Sequence, residues 1–156
     1  MPTLMRPMLT AWLLFMAGPA LGDEPCRLVP DSDQAVTIGL AVTDPDGTLV
    51  AGATMVVDHP EGKIGIVGEG ITLPKTTIAG QPPDAVTSAN DLGDAVRVVI
   101  ARAGPLPTNA PLFTLHFQRC AGTPAVVAGD IACKVIDASD PSANKIRGVG
   151  CTVTIP

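Results

Sequence analysis

Apolar and polar residues alternate along much of this chain. Val36, Ile38, Leu40 and Val42 stand two positions apart with small residues between them, and a period of two marks a half-buried strand. The same period recurs in Ala53, Met55 and Val57 within 49–57, in Val96, Val98 and Ile100 within 95–102, and in Phe113, Leu115 and Phe117 within 111–119. These residues are expected to face a core. Thr54, Val56, Asp58, Arg97, Val99, Leu112, Thr114 and His116 then face outward. Shorter runs at 63–67, 71–79, 85–88 and 125–128 fill the intervals, and Pro74 makes the second of these an edge or bulged strand because it cannot donate to a ladder.

Turn chemistry separates the runs. Asp44-Pro-Asp-Gly47, Gly80-Gln-Pro-Pro83, Asn90 to Asp94 and the Pro-rich Gly104 to Asn109 supply residues that fix a negative φ or accept a positive one. Asp44 to Gly47 also spells half of a calcium loop, but the later ligands and the closing Glu do not follow. No helical period persists for three turns. Nine or ten short strands predict an all-β domain, a two-sheet antiparallel β-sandwich with jelly-roll or Greek-key connections.

The most constrained stretch is the last. Ile131 to Asp137 and Ile146 to Ile155 read as a closing hairpin about Ser142, pairing Ile131 with Val153, Cys133 with Cys151, Val135 with Val149 and Asp137 with Arg147 on one face. That register predicts a Cys133–Cys151 disulfide. Cys26–Cys120 follows by elimination and would tie down the N-terminus.

Composition adds a compartment. Residues 1–22 resemble a secretory signal, with Arg6 as the only charge, an apolar stretch over 9–17 too short to span a bilayer, and small residues at 20–22. The remaining 23–156 is expected to be one domain, free in the periplasm or outside the cell. Without Arg6 it carries nine Lys and Arg against fifteen Asp and Glu, a net charge of −6, which suits neither nucleic acid nor anionic membrane. Four cysteines in an exported chain with no Cys-x-x-Cys favour disulfides over zinc.

No catalytic constellation emerges. His59 and His116 occupy a strand end and an outward strand position, and Ser32, Ser88, Ser139 and Ser142 lie in turns or at strand ends, outside any Gly-x-Ser-x-Gly elbow. Paired carboxylates such as Asp31 and Asp33, or Asp137 and Asp140, are explained by turns. No metal, cofactor or enzymatic activity is expected. What remains is a binding module, with Arg97, Val99, Leu112, Thr114, His116, Thr54, Val56 and Asp58 as its candidate face, more apolar than solvation requires.

Five segments carry a resemblance: Ala51 to Pro60, Ala95 to Ala101, Pro111 to Phe117, Asp130 to Asp140 and Gly148 to Val153. Over roughly 34–153 the chain resembles a cohesin-type domain. Cohesins are jelly-roll sandwiches of about nine strands that bind dockerin domains of other secreted proteins, and several carbohydrate-binding modules share related folds. The resemblance implies that the strands at Leu49, Ala95 and Pro111 lie in one binding sheet and that the partner is a dockerin-like domain. Polysaccharide is the second partner class, although sugar modules stack rings on exposed Trp or Tyr and residues 23–156 contain neither.

Overall fold

The structure, a computed structural model, describes residues 26–67 and 77–156. The expected signal segment and Pro74 lie outside the described residues. Among the described residues, nine strands form two antiparallel sheets: β1 (Leu28–Ala41), β2 (Gly52–Asp58), β3 (Ile64–Gly65), β4 (Ile78–Ala79), β5 (Val86–Asp91), β6 (Ala95–Ala101), β7 (Pro111–Cys120), β8 (Ala132–Ser139) and β9 (Gly150–Thr154). Sheet A runs β3-β7-β1-β9, with β4 also on β7, and sheet B runs β5-β6-β2-β8. Six of the eight connections cross from one sheet to the other, so the chain is wound round its core. No helix among the described residues is long and apolar enough to cross a membrane.

The core is what the alternation prescribed. Val36, Ile38, Leu40, Met55, Val57, Val96, Val98, Ile100 and Leu115 are wholly buried, and Phe113 and Phe117 nearly so. Sheet A contributes the two rings and sheet B answers with aliphatic side chains. Strand limits moved most where the signal was weakest. β1 begins at Leu28, seven residues before the apolar run, because its polar first half pairs with the C-terminal half of β7. β5 continues through Asn90 and Asp91, leaving the turn to Leu92–Asp94 with Gly93 at φ 95°. The run 125–128 is not a strand: Val126 is buried, but the segment closes in a 3-10 turn at Ala128–Asp130.

Leu112 is the sharpest correction inside a strand. Ile38 pairs with Phe113 while Gly39 pairs with Pro111, so Leu112 is an extra residue in β7, and it is 1% exposed where the alternation placed it outward. The chain is held there by what precedes it. Asn109, at φ 53°, accepts the Val42 N–H and donates to the Val42 carbonyl through its carboxamide, both at 3.1 Å. The Ala110 carbonyl then passes so close over Gly39 that a Cβ there would lie 2.6 Å from it.

The closing segment is not a hairpin ladder. β8 pairs with β2 in sheet B and β9 pairs with β1 in sheet A, so the two strands lie on opposite sides of the sandwich. Of the four expected pairs, Cys133 with Cys151 forms, and the chain still turns about Ser142. Ser139 bridges Lys145 beside the turn, and Cys133 is bonded to Cys151, both pairs equidistant from Ser142. Between these points the strands part, and Val135 and Val149 pack on the core, as does Val153 beyond the disulfide. The Cys133 and Cys151 Cα atoms are 5.9 Å apart, well inside the ~10 Å between packed sheets, so the sandwich closes along this edge. Asp137 does not meet Arg147. A bulge between Thr54 and Met55 inserts Ile136, turns Asp137 outward, and leaves it to pair with Lys145 at 2.9 Å. Cys26–Cys120 forms as expected and fixes the start of the chain to the end of β7.

Candidate interaction face

The eight residues of the expected binding face do not share one. β2 and β6 are neighbours in sheet B, so Thr54, Val56, Asp58, Arg97 and Val99 stand together on its outer surface. β7 belongs to sheet A. Thr114 and His116 are therefore on the opposite side of the domain, and Leu112 is in the core. On sheet A, Thr114 Oγ1 lies 3.1 Å from Thr37 Oγ1, and His116 Nδ1 lies 2.9 Å from Asp33 Oδ1 across the β1–β7 pair, so both side chains have partners.

Register builds the sheet B face row by row. Ser88, Val99, Thr54 and Asp137 form one row, with Val86, Ala101, Gly52 and Ser139 on one side and Asn90, Arg97, Val56 and Lys134 on the other. Val86 is 78% exposed, Val99 42% and Ile136 52%, which places three branched aliphatic side chains in water across one four-stranded surface. Gly52 and Ala101 leave a shallow hollow of about 190 Å³ between Val99 and Ser139. Two cations flank Val56, Arg97 on β6 and Lys134 on β8, and neither has an ion pair among the described residues. With strands ~4.8 Å apart their backbones are separated by about 10 Å. The face thus sets one positively charged row beside its exposed aliphatic side chains, with Asp58 and the Lys145-paired Asp137 in the rows to either side.

Val86, Lys134 and Ile136 belong to this face and were absent from the expected set. The alternation of Cys133 and Val135 already put Lys134 and Ile136 on the other side of their strand. What the sequence could not supply was that β8 lies against β2. Among the described residues, no group of three or more His, Cys, Asp or Glu side chains is arranged to hold a metal ion. Comparison with family models, curated proteins and solved structures found no match.

His59, expected at a strand end, is found there but buried. It is 7% exposed at the end of β2, its ring 5.1 Å from that of Phe117, and both ring nitrogens are buried without a hydrogen-bond partner. Burial pushes its pKa below 6.5, against the opposing pull of Asp91, Glu61, Asp94 and Asp58. Below pH 6.5 the unfolded chain takes up a proton that the folded ring resists, so stability present above 6.5 is lost as pH falls towards the folded value. Asp130, Asp137 and Asp140 are also shifted, but downward from 3.8, chiefly by hydrogen bonds from the Val127 N–H, Lys145 and Asn144 respectively, so their contributions fade only in more acid solution. His59→Leu is expected to flatten the fall in stability as pH drops below 6.5. It should also raise stability at neutral pH by about 1 kcal/mol, because an unpaired buried polar group is removed. Urea midpoints of both proteins at neutral pH and below 6.5 check it.

Proposed function

We propose that this chain is an exported, non-catalytic protein-binding module whose partner docks on the outer face of sheet B. The observation that carries the reading is the coincidence, on one face, of three exposed aliphatic side chains with two unpaired cations. A guanidinium is among the groups enriched in binding hot spots, and exposed aliphatic side chains beside it supply apolar area that a partner can cover. The positive row calls for a partner with carboxylates facing it, and an acidic calcium-loop domain of dockerin type meets that requirement. The cohesin-type resemblance points to the same partner class through the strands at Leu49 and Ala95, and two disulfides suit an oxidising compartment.

The test is titration of the oxidised protein with a dockerin-type domain in calcium, followed by calorimetry. Val99→Asp should weaken binding by about 2 kcal/mol or more and Arg97→Glu should weaken it too, whereas Thr154→Asp on sheet A should not. Equal loss in all three, or binding that none of them changes, removes sheet B as the docking face. Retention on cellulose, chitin or xylan with no protein binding would move the function to polysaccharide recognition.

A further inference from the structure

We infer that the concavity between the Asp44 turn and the 140–147 loop is a binding site for a small aliphatic monocarboxylate, separate from the sheet B face. It is an open concavity of about 500 Å³ lined by Thr48, Leu49, Asp140, Ser142, Ile146 and Arg147, among others. That is the scale of a small-molecule site, and it exceeds the hollows of 190, 200 and 250 Å³ elsewhere on the domain. Its apolar walls come from both sides. Leu49 is 48% exposed although Val50 and Ala51 beside it are buried, and Ile146 is half-buried against the core.

Arg147 supplies the charge. The residue expected to neutralise it, Asp137, is taken by Lys145, and the Arg147 guanidinium has no ion pair among the described residues. Asp140 also borders the concavity, but its oxygens are occupied. Oδ1 accepts the Ser142 and Asn144 N–H groups at 2.8 and 2.9 Å, and Oδ2 accepts the Asn144 carboxamide at 3.1 Å. With Arg147 as the one cation on the lining and the ionised Asp140 near it, a dianion such as phosphate is disfavoured, and a single carboxylate on an apolar body suits the guanidinium and the Leu49 and Ile146 walls. The planar guanidinium fits a carboxylate with two parallel hydrogen bonds. The Thr48 and Ser142 hydroxyls, which have no partner among the described residues, can donate to the same group.

Both walls are fixed before any ligand arrives. Asp44 accepts the Gly47 N–H on its carboxylate and the Thr48 N–H on its carbonyl, while the Asp140 cage and the Ile146 N–H to Ala138 bond at 2.9 Å hold the facing loop. A site built this way loses little ordering entropy on binding.

The experiment is an amide-resolved NMR titration of the oxidised protein with hexanoate, and with hexanamide and inorganic phosphate as comparisons. Hexanoate should give saturable shifts at Thr48, Leu49, Ile146 and Arg147, with hexanamide at least tenfold weaker and phosphate without effect at these residues. Arg147→Gln should weaken hexanoate about tenfold, the scale of one lost charge-assisted hydrogen bond, while the rest of the spectrum keeps its folded dispersion. Leu49→Ala should weaken hexanoate and hexanamide alike. The site is overturned by shifts that do not saturate, by equal affinity for hexanoate and hexanamide or phosphate, or by hexanoate binding that survives Arg147→Gln unchanged.

Discussion

Leu112→Asp is expected to unfold the domain, or to lower its stability by more than about 4 kcal/mol. Truncating a buried leucine costs about 2–5 kcal/mol through lost transfer energy and the cavity left behind. Asp adds a carboxyl group that must either ionise in the core or bind a proton to stay neutral, with no partner placed to receive it. Leu112 is 1% exposed, so little of this can be relieved by turning the side chain to water. Thr114→Asp, two residues along the same strand on the half-exposed outer phase, should change stability by about 1 kcal/mol at most, apart from its bond to Thr37. Urea denaturation followed by circular dichroism separates the two. If Leu112→Asp melted like the wild type, the bulge in β7 would be misplaced and the strand would keep its alternation to the end.

Removing the Cys26–Cys120 bond should cost more than removing Cys133–Cys151. The first spans 94 residues and the second 18, and the loop-entropy relation gives about 4.7 and about 3 kcal/mol. The larger loop contains β1 to β7, the whole of sheet A except β9 and three strands of sheet B. Paired Cys→Ala variants, compared by urea midpoint under non-reducing conditions, check the order. A larger loss from the Cys133–Cys151 pair would show that native contacts at the closing edge outweigh unfolded-chain entropy.

These two results test different parts of what the sequence made readable. Phase was local and came through: Val36, Met55, Val98 and Phe117 face inward because a strand buries every second side chain, and the run of residues alone reports that. Adjacency was not local. The five segments gave no sign that β7 leaves the company of β2 and β6 for β1, which split the expected face and sent Thr114 and His116 to the far side. Bulges are invisible for a related reason. Nothing in Pro111-Leu-Phe marks Leu112 as the extra residue; Asn109 and Gly39 impose it from outside the strand. At the C-terminus the turn about Ser142 and the Cys133–Cys151 pair came through while the ladder did not, because inward side chains meet across a closing sandwich edge as well as along a hairpin.

The two disulfides also decide how the molecule answers tension. Load entering at Cys26 passes to Cys120, follows the backbone over residues 120–133, crosses to Cys151 and leaves through the last five residues. Everything from 27 to 119 and from 134 to 150 hangs in two covalent loops that carry none of it. Pulled between Cys26 and Pro156 while oxidised, the domain can lengthen only by the slack in that short path, with β1 to β7 held inside the larger loop. Reduction returns the full contour to the pull, so the same domain is a stiff link in an oxidising compartment and an extensible one outside it.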